Sequence, residues 1–393
     1  MRVLHIGKFF PPYPGGIERS CADLTAALVT SGVATAMLAH AEPGAHRSRQ
    51  LVADGVEVTL AACHGQLLYA PISPAFPRLL ARMIHKFAPD LLHIHMPNTS
   101  AFWALLSPAA RRLPWIVHWH SDIPLDSRRS SLRLAYGVYR PWEQALLRRT
   151  RAVIATSQPY VDASIALQPW RDKLHVIPLG IAPIESDPAP GRPLSMLWPA
   201  SGLRILAVGR LSYYKGFDVL LRALADVPHA QLLLIGSGEC EAALRALVAQ
   251  LGIESRVRFA GHIDDATLVR AYAEADVFCL PSIERAEAFG LVLLEAMRAA
   301  LPTLASDISG SGVGYVVRDR QTGMLVPPGD AGALAGALRE LAADENLRRH
   351  LGAAGQRRWH DEFTMDRNAQ QTLALYREIL GATSRRATAA SET

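Results

Sequence analysis

Glu287 and Glu295 stand with seven residues between them in the stretch 285–297, Arg-Ala-Glu-Ala-Phe-Gly-Leu-Val-Leu-Leu-Glu-Ala-Met. From 291 to 300 the chain holds strong helix formers and no Gly or Pro, which predicts a helix beginning near Gly290. Glu287 then falls in the loop before that helix. Glu295 falls about a turn and a half inside it, about 7 Å further along the axis. Between the two carboxylates lie the free backbone N–H groups of Phe289, Gly290 and Leu291 at a helix N-terminus, a ready anion site. A ligand with a diphosphate in the middle and a hydroxyl-bearing ring on each side suits that spacing, and a nucleotide-sugar is such a ligand.

Two cations reinforce this reading from a distance. The apolar run 205–209 predicts a strand, and it leads into Arg210-Leu-Ser-Tyr-Tyr-Lys215-Gly216 before a helical pattern over 217–224. Arg210 and Lys215 therefore bracket a helix N-terminus, where positive side chains oppose the macrodipole unless an anion joins them.

The pattern Gly-Arg-Leu-x-x-x-Lys-Gly at 209–216, with Glu-x-Phe-Gly-x-x-x-x-Glu-Ala-Met at 287–297, resembles the GT4 family of retaining glycosyltransferases. The resemblance runs from Arg2 to about Leu380. It implies an α/β chain of the GT-B fold, two Rossmann-like domains facing across a cleft. It also implies that Glu287 orients the donor sugar, that Glu295 takes the ribose hydroxyls, and that Arg210 and Lys215 stabilise the departing diphosphate. Ala288 and the Phe289, Gly290 and Leu291 amides line the same place, and the nucleotide base lies near His262 and Ile263. The turn 302–312 departs from the Gly-x-Pro-Glu found in many relatives. Here, as at 281–287, the chain is more similar to bacterial polysaccharide mannosyl- and rhamnosyltransferases, the only pointer to a GDP-sugar.

The elements that position these residues alternate as strand and helix patterns, which predicts parallel sheets covered on both faces. A first strand at 2–7 precedes Gly15 and Gly16, a paired-glycine turn into a helix; the resemblance makes both donor-side contacts. The turn lacks the Gly-x-Gly-x-x-Gly of dinucleotide enzymes. In 114–122, His118 and His120 share one side of a strand by the period-2 rule. His120 stands at the strand's carboxyl end, where open α/β sheets bind ligands, and it resembles the family's cleft histidine. His93 and His95 read as strand residues satisfied locally. Gly236, after the strand 231–235, fits a ligand loop or a plain turn equally well.

Domain boundaries follow from composition. An acceptor-side Rossmann-like domain over 1–182 ends in a linker over 183–203, rich in proline. A nucleotide-sugar-binding domain spans 204–363. A helix over 364–381 is expected to cross back to the first domain, and the small polar tail 382–393 to be disordered.

The whole chain has 393 residues and a net charge of +5. Residues 1–180 carry 19 Lys and Arg against 11 Asp and Glu, so the basic excess sits in the first half. Within 128–151, Arg128, Arg129, Arg133, Arg140, Arg148, Arg149 and Arg151 are interleaved with Tyr136, Tyr139 and Trp142. That pattern fits an anionic inner-membrane surface or an exposed solvated helix; no RNA-binding motif accompanies it, and no nucleic-acid partner is expected. The four cysteines lack metal or redox spacing, and no Asp-x-Asp signature is present, so neither a metal nor a cofactor is expected. The lack of a signal-like or spanning apolar run predicts a cytoplasmic protein, peripheral at the inner face of the plasma membrane. The expected acceptor is a glycan or a polyprenol-linked glycan. The alternatives are a nucleotide-sugar epimerase of the same fold and a non-catalytic sugar-nucleotide-binding membrane scaffold.

Overall fold

The computed structural model describes residues 1–123, 130–184, 198 and 202–391, and among these the chain forms two compact units. Unit 1 comprises 1–182 together with 365–393, and unit 2 comprises 183–364. Arg128, Arg129 and most of the proline-rich linker lie outside the described residues.

Unit 1 is built on strands β1 (Arg2–Phe9), β2 (Ala34–His40), β3 (Arg49–Ala53) and β4 (Val56–Ala61), with a small hairpin of β5 (Gln66–Leu67) and β6 (Ala70–Pro71). After these come β7 (Leu91–Met96), β8 (Trp115–Trp119), β9 (Ala152–Ala155) and β10 (Leu174–Val176). The order across its main sheet is β10-β9-β8-β7-β1-β2-β4-β3, parallel except for the edge pair β3–β4. Strands with helices on both faces are buried on both faces, so β7, β8 and β9 read as continuous apolar or aromatic runs and are wholly buried. The strand order reverses between β1 and β7. At that reversal the loop after β1 carries Gly15 and Gly16, and it feeds the helix Gly16–Thr30.

Unit 2 holds β11 (Leu203–Val208), β12 (Ala230–Ile235), β13 (Val257–Gly261), β14 (Val277–Leu280), β15 (Thr303–Ser306) and β16 (Gly323–Val326). Its sheet runs β13-β12-β11-β14-β15-β16, all parallel. This is the doubly wound order in which the first strand is flanked by the second and the fourth, so the crevice opens between the carboxyl ends of β11 and β14. Ile205, Ala207, Leu232, Leu234, Val277 and Cys279 form the core beneath it.

The last helix, Met365–Ser391, belongs to unit 1. Met365, Ala369, Leu373 and Tyr376 pack with Val3, Leu24, Leu28 and Ile154. Its first turn is tied down where the Met365 N–H donates to the Ile181 carbonyl (3.0 Å) and the Asn368 amide donates to the Pro178 carbonyl (2.6 Å). The helix runs through Ser391, across much of the segment 382–393 expected to be disordered. Beyond Gly381 the sequence is alanine-rich with no further Gly or Pro, and a helix already nucleated by packing propagates through such residues.

Candidate active site

In unit 2 the strand-order reversal brings together two loops far apart in sequence. The loop after β11 carries Arg210 and Lys215; the loop after β14 carries 281–290. They are pinned backbone to backbone, the Ile283 N–H donating to the Tyr214 carbonyl at 2.8 Å. Gly216 makes that approach possible. It sits at φ +63°, and a Cβ there would lie 2.1 Å from the Pro281 carbonyl oxygen.

The result is a buried ion pair. Lys215 Nζ donates to Glu287 Oε2 at 2.6 Å, and Ser282 Oγ donates to the same oxygen at 2.9 Å. Lys215 is only 8% exposed and Glu287 only 7%. Burial alone would lower the Lys215 pKa, but the Glu287 carboxylate, with Tyr214 behind it, outweighs burial and holds it raised. The ammonium has three N–H donors, so engagement by one carboxylate leaves capacity for a second anion. Ser311 Oγ donates to the Glu287 backbone carbonyl, and the Gly312 N–H donates to the Ala288 carbonyl at 2.8 Å. The turn 302–312 thus buttresses the Glu287 loop from the side.

The helix Leu291–Arg298 begins where predicted. Gly290 caps it at φ +84°, and no side chain caps this end among the described residues. Phe289 is buried edge-on against Phe363, at 6.1 Å between centroids, which fixes the loop just before the amides. Glu295 sits on the helix with Oε2 accepting from the Tyr272 hydroxyl at 2.7 Å. Burial, with the Glu295 charge beside it, pushes the Tyr272 phenol well above its usual range, so it stays a donor. Tyr272 was not singled out from the sequence. It belongs to the helix Asp265–Glu274, and only the tertiary fold aims its hydroxyl at Glu295.

The remaining unit 2 residues divide. Arg210 is exposed and makes a loose surface pair with Glu239, at 3.5 Å. Gly236 has a packing reason: at φ +128°, a Cβ would lie 2.0 Å from the Gly209 carbonyl oxygen. It thereby holds the β12 loop against the β11 loop. His262 is exposed and Ile263 half-buried on the loop after β13. That loop lies two strand spacings from β11, about 10 Å away.

In unit 1, Gly15 and Gly16 open the helix Gly16–Thr30, and the Glu18 carboxylate folds back against Gly15. Burial raises the Glu18 pKa; its own backbone N–H and Lys8 work the other way. The chain therefore presents its own carboxylate at the turn where donor-side contacts were expected. An acidic residue in a first helical turn was the available sequence signal.

His120 follows β8, and it is not alone. His5 on β1, His93 and His95 on β7, and His118 on β8 join it in a buried cluster. Parallel register sets His5 beside His93 and His95 beside His118. His93 and His95, expected to be satisfied locally, find their partners on other elements: His95 bonds His5 and His120, and His93 bonds the Tyr376 hydroxyl of the last helix. Burial drives the His5 and His118 pKa values down to about 3, and those of His93, His95 and His120 well below their ordinary value. All five rings are neutral at pH 7. Nitrogens of His5, His93 and His95, and ligand atoms of Cys21, His95 and His120, lie within 4.8 Å of one another, the groupings that most resemble metal sites among the described residues.

Comparison with known proteins decides the family. "Glycosyl transferases group 1" matches residues 197–358 and "Glycosyl transferase 4-like domain" matches residues 15–180. A phosphatidyl-myo-inositol mannosyltransferase of Mycobacterium leprae is 31% identical over 90% of this chain and 91% of its own. The chain belongs to the GT4 glycosyltransferases. An O-antigen chain mannosyltransferase C of Escherichia coli is 29% identical, over 97% of this chain and 99% of its own. A solved sucrose-phosphate synthase from Thermosynechococcus elongatus superposes with a TM-score of 0.77 at 26% identity, covering 97% and 99% of the two chains. The two parallel-sheet units of this glycosyltransferase are those of the GT-B fold.

Two outcomes follow for this glycosyltransferase. Lys215→Ala strands a buried carboxylate and should destabilise unit 2 by about 3–5 kcal/mol in denaturant unfolding, whereas Arg210→Ala should change it by less than about 0.5 kcal/mol. The second concerns pH. His5 and His118 titrate near pH 3 when folded and near 6.5 when unfolded, so the unfolded chain binds more protons between those values. Stability should be full above pH 6.5 and fall as the pH drops through that window. His118→Phe should flatten the slope by up to about 1.4 kcal/mol per pH unit, read from unfolding free energies between pH 7 and 5.

Proposed function

We propose that this glycosyltransferase moves a hexose, mannose or a related sugar, from a GDP-sugar to the hydroxyl of a lipid-linked glycan in surface polysaccharide assembly, with retained anomeric configuration. One observation carries the donor reading. Lys215, Glu287 and the uncapped start of the helix Leu291–Arg298 converge at the strand-order reversal of unit 2, with Glu295 held by Tyr272 farther along that helix. The two mannosyltransferase relatives support the sugar.

In the reaction the bond from the anomeric carbon to the diphosphate oxygen breaks, and its electron pair leaves with the phosphate. Lys215, Arg210 and the amides at 289–291 stabilise that charge, the effect that is usually the largest catalytic contribution. Glu287, its position fixed by Ser282 and Lys215, orients the sugar and opposes positive charge at its carbon. Glu295 accepts from the ribose hydroxyls, and His120 contacts the donor sugar. The acceptor oxygen bonds to the anomeric carbon on the face the phosphate leaves, and its proton passes to the departing phosphate. No protein nucleophile and no metal are assigned.

A peripheral membrane location is the second part of the proposal. On the helix Ser130–Arg149, Leu134, Val138 and Trp142 are exposed by 80%, 71% and 42% at a four-residue spacing, with Arg133 and Arg140 exposed beside them. Apolar residues facing water between cations suit an anionic bilayer surface. Arg149 does not join them: its guanidinium donates to the Leu113 carbonyl at 2.9 Å and covers the Trp115 ring. Among the described residues no helix is long and apolar enough to cross a membrane.

Calorimetry with GDP, UDP, ADP and their hexose conjugates, without added metal, tests the donor. GDP-mannose should bind in the micromolar range, and Arg210→Ala, which leaves the fold intact, should weaken it by about tenfold. Preference for another base would overturn the GDP assignment. For the membrane, co-sedimentation with vesicles containing anionic lipid should be lost in Leu134→Ser/Val138→Ser and be weakened by salt. Equal sedimentation of both proteins would refute the docking face.

A further inference from the structure

We propose that His5, His95 and His120 form one continuous imidazole chain, each ring carrying its proton on Nδ1, that fixes His120 as a neutral N–H donor. His5 and His95 are thereby positioning residues for His120. The inference rests on the reading that His120 meets the donor sugar; the chain itself rests on geometry.

His5 Nδ1 lies 3.0 Å from His95 Nε2, and His95 Nδ1 lies 3.0 Å from His120 Nε2. The ring centroids are 5.3 Å apart in both pairs, with interplanar angles of 23° and 17°. A short N···N contact at that centroid separation means the rings meet nearly end to end, each lone pair aimed at the next ring's N–H. A metal ion does not fit on that line. Two bonds of about 2.0–2.1 Å would need the facing nitrogens farther apart. Nor does His93 complete a metal cage, because its ring lies face to face with His95 at 4.5 Å and 12°. Lone pairs of parallel rings do not converge.

A neutral imidazole has one donor and one acceptor, so the chain has two self-consistent registers. With every proton on Nε2, His5 Nε2–H is left as the unpartnered end. With every proton on Nδ1, that end is a bare lone pair and the unpartnered N–H is His120 Nδ1. Both end nitrogens lack a partner among the described residues. His5 is 0% exposed on a central strand of the sheet, whereas His120 is 4% exposed just past the end of β8. An orphaned buried donor costs about 1–3 kcal/mol unless something accepts from it. Only the His120 end lies at the carboxyl edge of the sheet, where an incoming oxygen can accept. The Nδ1–H register is the one that a ligand oxygen completes. His118 stacks on His120 at 4.2 Å and 7°, holding the ring plane without competing for its nitrogens.

The test is nitrogen-15 NMR of the full chain with labelled histidine, recorded without ligand. The expected result is His5, His95 and His120 as fixed Nδ1–H tautomers, with scalar coupling across both N–H···N bonds. A His120 that is Nε2–H or averages between tautomers overturns the proposal, as does a stoichiometric transition metal in the purified protein. In His95→Leu the His120 tautomer should become mixed and kcat should fall about tenfold with KM little changed, the size of one neutral hydrogen bond. His95→Gln, with a donor and an acceptor at one amide, should restore both. If His95→Leu does not fold, the wild-type spectrum decides alone. If the spectrum is as expected but His120→Ala transfers sugar normally, the donor reading of His120 fails while the chain stands.

Discussion

The buried pair Lys215–Glu287 is the contact around which unit 2 is arranged. Two ions removed from water are tolerated only when each is the other's close partner and their spare valences are met. Ser282 supplies one such bond directly, Ser311 and Gly312 hold the backbone carbonyls of Glu287 and Ala288, and the Tyr214–Ile283 contact holds the Lys215 turn. None of this forms unless β11 and β14 are neighbours. The strand order and the ion pair therefore specify each other. A different winding would leave both charges buried and alone.

The same logic divides the two cations that the sequence makes equivalent. Lys215 is part of the structure before any ligand arrives, while Arg210 stands in solvent. Of the two, only Arg210 can be replaced without disturbing the buried pair. Glu287 and Glu295 differ in a parallel way. The first is locked by Lys215, Ser282 and the turn at Ser311, and the second accepts from a phenol on a neighbouring helix.

Much of the architecture was legible from the sequence because its cues are local. Apolar runs ending in Gly or Ser, followed by helical periodicity, marked the strand-loop-helix units, and the helix start at Gly290 followed from residue types alone. The unread part is lateral. Nothing near His93 and His95 announces that His5, His118 and His120 share their face of the sheet, because that depends on which strands are neighbours and in what register. Tyr272 and Glu18 were missed for similar reasons, one aimed across helices and the other folded back on its own turn. From 382 the composition is small and polar, and the helix that continues into it starts from packing that composition does not show.

The last helix has a consequence for how the chain is made. Unit 1 is completed by residues that follow all of unit 2, and Tyr376 supplies the hydroxyl that His93 bonds. During synthesis the first sheet emerges with the surface around Val3, Leu24 and Ile154 uncovered, and it stays so until the ribosome has passed residue 365. At about 5–20 residues per second, that is an interval of roughly ten to forty seconds. The whole of the intervening unit is synthesised before that helix, so the amino-terminal sheet is closed last, by the carboxyl-terminal helix.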